Sequence, residues 1–129
     1  MKHRRKKKIG FLVYDGLQGL DLFGPQEVFA TASQYCPESA SRYETIIVSE
    51  DGAAITTESG VVIGAHTSMR DCPALHTLII PGGAGSREEH ISQAVVDWVQ
   101  SRARTLDRVA SVCTGIFILA RTGLLDGRP

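Results

Sequence analysis

The sequence predicts an α/β layered protein with a mainly parallel sheet. Three observations carry that prediction. Short apolar runs alternate with segments whose apolar residues recur at helical spacing. The runs are apolar throughout rather than at every second position, as strands buried on both faces require. Asp15, Gly82-Gly83 and Cys113 each directly follow such a run, which puts them at the carboxyl edge of the strands, where right-handed crossovers place active groups.

Taken in order, Lys8 to Tyr14 is the first buried strand, ended by Asp15-Gly16. Gly24-Pro25 is a helix-start signal, with proline in the first turn. The helix is predicted over Gln26 to Tyr35, on a stripe of Val28, Phe29 and Ala32, and Cys36-Pro37 stops it. Tyr43 to Ser49 is the second strand. Ala54 to Thr57 and Val61 to Ala65, split by Ser59-Gly60, predict a β-ribbon. Leu75 to Pro81 is the next buried strand and runs into Gly82-Gly83. Arg87 to Arg104 predicts an amphipathic helix with Ile91, Val95, Trp98 and Val99 on one face. Leu106 to Val112 is the last strand, its Val109 to Val112 run read as buried. Ile116 to Thr122 is a helix, with Gly123 as its cap. Residues 1–8 are a basic tail and residues 9–129 one domain, with no repeat, low-complexity segment or linker. Its end at Pro129, soon after the last helix, predicts an incomplete domain cut from a longer reading frame.

Composition is that of an ordinary globular chain, 43% hydrophobic and 22% charged. No run of about 18 apolar residues is present, so no transmembrane helix is expected. The basic start lacks the apolar core of a signal peptide, and the cytoplasm is the expected compartment. Six of the fourteen Lys and Arg fall between Lys2 and Lys8; the rest of the chain carries eight Arg against fourteen acids, a net of −6. The basic run is read as a solvated tail rather than a nucleic-acid contact, because no aromatic or helical reading element accompanies it. The three cysteines, Cys36, Cys72 and Cys113, have no metal-ligand spacing and no disulfide framework. His3, His66, His76 and His90 are not spaced as a metal pair, and Gly82-Gly83-Ala-Gly85 lacks the Lys-Ser/Thr of a phosphate loop. No metal and no cofactor are expected.

Cys113 is the first candidate for chemistry. A strand running straight into a helix puts its connecting residue on a sharp, strained turn, as in a nucleophile elbow. Unpaired N–H groups at the helix start stabilise a thiolate there. The plainer reading is a small buried thiol at a strand end. Gly82-Gly83 is the second candidate. The Gly83 and Thr114 amides would form an oxyanion hole over a group attacked by Cys113, and Gly82 and Gly115 would line the ligand pocket; the plainer reading is an ordinary strand-to-helix turn. Asp21 is the third candidate. A carboxyl group among Leu20, Leu22 and Phe23 would share a proton with a nearby thiol or substrate, or would simply cap a helix start.

Together these segments are familiar. Asp-Gly-Leu-Gln-Gly-Leu-Asp21-Leu-Phe-Gly-Pro-Gln-Glu-Val-Phe, Ile-Ile-Pro-Gly82-Gly83, Ala-Ser-Val-Cys113-Thr-Gly and Gly-Leu-Leu-Asp-Gly-Arg resemble the ThiJ/PfpI superfamily across nearly the whole chain after Lys8. The resemblance implies the three-layer flavodoxin-like, class I glutamine amidotransferase-like fold. It also implies a reactive elbow cysteine at Cys113, an acidic partner at Asp21, and oxyanion amides from the Pro-Gly-Gly turn and from Thr114. The Leu-Asp-Leu-x-Gly-Pro and Val-Cys-Thr-Gly forms narrow it to two branches. One is isonitrile hydratase-like enzymes, in which the counterparts of Asp21, Cys113 and Thr114 serve catalysis. The other is the amidase-like N-terminal domain of AraC/XylS-type transcription regulators. That branch implies a ligand-sensing or dimerising domain, a homodimer, and DNA contact only through a C-terminal helix-turn-helix absent from these residues. The basic leader, the Arg-rich body and the Ser-Val-Cys-Thr-Gly-x-Phe-x-Leu-Ala pattern favour the regulator branch. The alternatives are a cysteine hydrolase or hydratase using Cys113, and a redox relative whose thiolate oxidises.

Overall fold

A computed structural model describes residues 6–38, 42–87 and 89–129. Strand β1 (Lys6–Leu12) leads into helix α1 (Gly19–Tyr35) and returns in β2 (Arg42–Ser49). The ribbon β3 (Ile55–Thr56) and β4 (Val62–Ile63) follows, then the short β5 (Thr67–Ser68) and β6 (Thr77–Ile80). A 3-10 turn at Ala84–Ser86 precedes α2 (Gln93–Arg102) and β7 (Arg108–Ser111). A second 3-10 turn, Cys113–Gly115, runs directly into α3 (Ile116–Arg121). The main sheet is parallel throughout, in the order β5-β2-β1-β6-β7, while β3 and β4 pair antiparallel apart from it.

The predicted α/β class is therefore the observed one. β1 lies at the centre, in register with β2 from Lys6↔Arg42 to Leu12↔Val48 and with β6 from Ile9↔Thr77 to Phe11↔Ile79. Ile9, Phe11, Leu12, Leu78, Ile80 and Val48 are buried on both faces of this centre. Each such side chain contributes about 1.5–3 kcal/mol when fully buried. Phe11 meets Phe29 of α1 edge-on at 6.4 Å, and Phe29 meets Tyr43 at 5.0 Å. That aromatic chain fastens the second half of α1 to β1 and β2.

The structure moves several predicted boundaries. β1 begins at Lys6, inside the stretch read as a tail, because backbone pairing with Arg42 to Glu44 is indifferent to side-chain charge and lysine heads can stay in solvent. The rest of that basic run, residues 1–5, lies outside the described residues. α1 begins at Gly19, not at Gly24-Pro25. Gln18 takes the cap position, its side chain accepting from the Leu20 amide at 3.5 Å, and Leu22 anchors the early turns in the core. Pro25 stands inside the helix. Its ring removes the hydrogen bond to the Asp21 carbonyl, and the absence of a Cβ at Gly24 eases the clash that a residue before proline otherwise meets.

The helix predicted from Arg87 begins at Gln93, because Ser92 caps it by accepting from the Val95 amide at 3.3 Å; Glu88 lies outside the described residues. β7 is an edge strand paired only with β6, and its residues are exposed or half-buried rather than buried as predicted. Gly123 does stand just past α3, at φ 80°, as a left-handed cap.

Candidate functional site

Three parallel strands end side by side, and their loops meet at one edge. β1 delivers Tyr14 and, through Gln18, the first turn of α1 with Asp21. β6 delivers the turn Pro81-Gly82-Gly83-Ala84. β7 delivers Cys113 and Thr114. The predicted residues are thus brought together.

Cys113 is exposed, and with φ 52° it is the one non-glycine residue at positive φ among the described residues. A left-handed backbone costs an L-residue about 1–2 kcal/mol. The surroundings hold it there. The Val112 amide donates to Ile80 O at 2.9 Å, which locks the end of β7 onto β6. Gly115 then packs against the same strand end so closely that a Cβ would fall onto Ile80 O and lie 2.8 Å from Pro81 O. Glycine at 115 is thus a packing requirement that sets the elbow beside β6.

The turn after β6 is tied on every side. The Gly82 amide donates to Asp21 Oδ2 at 3.2 Å, and Gly82 O accepts from the Gln18 amide at 2.8 Å. The Gly83 amide donates to Thr114 Oγ1 at 2.9 Å, and that hydroxyl lies 3.3 Å from Gly83 O as donor. A Cβ at 82 would stand 2.7 Å from the Thr114 amide nitrogen and 2.9 Å from Asp21 Oδ2, so only glycine lets these groups converge. The sequence assigned the Gly83 amide to an oxyanion hole; in the structure Thr114's own hydroxyl occupies it. Asp21 sits in the first turn of α1, as a capping acid would, yet its carboxylate reaches across to the β6 turn rather than capping its own helix.

Two participants escaped the sequence reading. Tyr14 is buried beneath the turn and donates its hydroxyl to Pro81 O at 2.6 Å. Burial, and then the negative charges of Asp21, Glu58 and Cys113, push its phenol well above the usual tyrosine range, with the Ser86 hydroxyl pulling weakly the other way. Glu58, from the β3–β4 ribbon, accepts from Gln18 Nε2 at 2.6 Å and from the Ala84 amide at 2.9 Å. Tyr14 is the last residue of the first predicted strand, and Glu58 falls between the two predicted ribbon runs. No local pattern marks either.

His66 and His76 play structural parts. His66 Nδ1 accepts from the Ile47 amide at 2.8 Å. His76 lies 2.7 Å from Thr77 Oγ1 and 3.3 Å from Asp107 Oδ2, at the amino ends of the strands. That end also holds the larger concavity, about 660 Å³, lined by Ile9, Thr77 and Arg108 among others. A second, of about 330 Å³, lies beside Asp15, Glu50 and His90. Cys113 lines neither; it stands on an open shelf.

Comparison with known proteins bears on the family and the fold. The DJ-1/PfpI family profile matches residues 7–129. The chain is 34% identical over 121 residues to an isonitrile hydratase of Pseudomonas putida, covering 94% of this chain and 50% of that protein. It is 32% identical over 126 residues to the HTH-type transcriptional regulator GbdR of Pseudomonas aeruginosa, covering 98% of this chain and 34% of that one. A crystal structure of a ThiJ/PfpI family protein from Pseudomonas syringae superposes with a TM-score of 0.76 at 28% identity, over 96% of this chain and 49% of that one. The chain therefore spans half or less of each of these relatives.

Proposed function

We propose, for a chain that belongs to the DJ-1/PfpI family, the role of ligand-sensing domain in an AraC-type transcription regulator, with the shelf around Cys113, Asp21, Thr114, Gly82, Gly83 and Gly115 as its effector site. The observation that carries this reading is the use of the turn's amides. Gly82 and Gly83 are already bonded by Asp21 and Thr114. A sensor can exchange such internal bonds for bonds to a ligand. Turnover needs those donors aimed in advance at the charge that develops. The similarity to GbdR over nearly the whole chain supports the same reading. Two copies of the domain pair in this proposal, in the cytoplasm. DNA contact belongs to a helix-turn-helix segment of the parent protein; among the described residues every helix is separated from the next by a strand. No helix among them is long and apolar enough to cross a membrane.

A second reading is a cysteine hydratase, favoured by the exposed, strained Cys113 and by the similarity to isonitrile hydratase. The Cys113 thiolate would add to the isonitrile carbon, which takes a proton by way of Asp21, giving a thioimidate. Water would then add to that carbon and the thiolate would leave, releasing the N-substituted formamide. Thr114 would first have to release the Gly83 amide. Incubation with cyclohexyl isonitrile separates the two readings. The sensor leaves the isonitrile unchanged. A hydratase yields the formamide and loses the yield on Cys113→Ala. Sequencing the parent reading frame tests the sensor directly: a helix-turn-helix pair is expected beyond codon 129, and a stop within roughly a hundred residues without one would sink the proposal.

A further inference from the structure

We infer that Glu58 is a positioning residue for the Cys113 site, latching the β3–β4 ribbon to the start of α1, which carries Asp21, and to the Gly82-Gly83 turn. The inference rests on the proposal that Cys113 is the group an effector or substrate meets.

The ribbon's tip is built to present this carboxylate. The Thr57 amide donates to Val61 O at 2.8 Å, the Val61 amide donates to Thr57 Oγ1 at 3.0 Å, and Thr57 is buried. The tight turn holds Glu58 over the neighbouring loop, where its own amide donates to Leu17 O at 2.9 Å. Both carboxylate oxygens are then used. One takes Gln18 Nε2 at 2.6 Å, from the residue that caps α1 three positions before Asp21. The other takes the amide of Ala84, the residue after Gly83, at 2.9 Å. A single anionic group thus ties the carrier of Asp21 to the glycine turn. Hydrogen bonds to a carboxylate are about twice as strong as neutral ones.

Three successive amides of the turn, those of Gly82, Gly83 and Ala84, are held by Asp21, Thr114 and Glu58 in that order. The first two holders belong to the site and would be displaced when a ligand engages the turn. Glu58 comes from outside it and keeps the third amide in place while that happens. The turn then exchanges partners without drifting away from Cys113. Glu58 is exposed, so this role does not come from packing.

The test uses the whole chain with two measurements, hydrogen exchange of the Ala84 amide and the iodoacetamide alkylation rate of Cys113 relative to Cys36 in the same molecule. Glu58→Ala should speed Ala84 exchange roughly tenfold and change the Cys113-to-Cys36 ratio by roughly threefold or more. Glu58→Gln should move both measurements less than Glu58→Ala does, since an amide oxygen still accepts from Ala84 while the charge-assisted bond from Gln18 Nε2 is lost. An unchanged Ala84 exchange or an unchanged ratio in Glu58→Ala overturns the latch. So does a Glu58→Gln chain as altered as Glu58→Ala, which would point to charge rather than geometry. If Glu58→Ala fails to fold, Gln18→Ala removes one of the two ties and should move both measurements the same way by less; no movement overturns the latch. Should Cys113 in the parent chain react no faster than Cys36, the reading of the site itself fails, while Ala84 exchange still reports on the latch.

Discussion

At the scale of single residues, the site is a set of backbone groups each held by one side chain. Tyr14 shows how far that holding reaches. Its hydroxyl donates to Pro81 O at 2.6 Å and so fixes the start of the glycine turn from below. The phenol is raised above its ordinary value by burial and by nearby negative charge. In the unfolded chain it loses its proton near pH 10. As pH climbs past that value the unfolded state deprotonates first. The stability that Tyr14 provides is therefore fully present below about pH 10 and is lost as pH rises above it. Tyr14→Phe should cost about 1 kcal/mol at neutral pH through the lost hydrogen bond and flatten the alkaline decline. Urea midpoints measured from neutral pH to about pH 11 would show both effects. Cys72 is also raised, by burial first, and its part of the decline persists in the variant. An alkaline slope equal to that of the parent chain would exclude Tyr14 as its source.

At the scale of elements, α1 decides whether Asp21 reaches the turn. Only Leu22 of this 17-residue helix is fully buried, and it stands next to Asp21. Leu22→Ala should cost about 3 kcal/mol as a cavity and loosen the first turn, so that the Gly82 amide exchanges faster than in the parent. Val28→Ala, on the exposed face at 67% accessibility, should stay within about 0.5 kcal/mol. Urea unfolding of the two variants gives the comparison. Equal losses would mean that Leu22 does not anchor the helix. The same element shows where the sequence could be read and where it could not. The strands β1, β2, β6 and β7 were legible from their apolar runs, whereas the short β5, Thr67–Ser68, carries no such run and was not predicted. The placing of Asp21, Gly82-Gly83 and Cys113 at one sheet edge was legible because each stands at a strand end or helix start. The start of α1 was not. Glutamine is a weak capping signal beside Ser, Thr, Asp or Asn, and Pro25 announces a helix start it does not occupy. The partners of Gly82, Gly83 and Ala84 were hidden for another reason. They come from positions 21, 114 and 58, and only the folded topology brings those together.

At the scale of the whole molecule, the apolar surface is unevenly spent. The sheet's centre is fully buried, while Leu20, Phe23, Val28 and Tyr35 of α1 and Ile116 and Phe117 of α3 remain exposed. A surface helix ordinarily turns a polar face outward, and apolar side chains exposed in number mark an interaction surface. Leu20 and Phe23 flank Asp21, and Ile116 and Phe117 follow the Cys113 elbow, so a body covering this face would also wall the open shelf. In the proposed sensor that body is a second copy of the chain. Sedimentation equilibrium should then return twice the 13.9 kDa chain mass at micromolar concentration, since a stable pair needs only about 800 Å² from each partner. The double variant Phe23→Glu with Val28→Glu should sediment as a monomer, because each introduced carboxylate would have to be desolvated in the interface. It should also keep its fold, since neither side chain belongs to the buried core. A parent chain that stays monomeric up to about 100 micromolar, where even a weak pair would be populated, would reject the pairing. The carboxylates act at a distance from the sheet, so loss of the dimer without loss of cooperative unfolding is the outcome that ties the exposed face to assembly rather than to the fold.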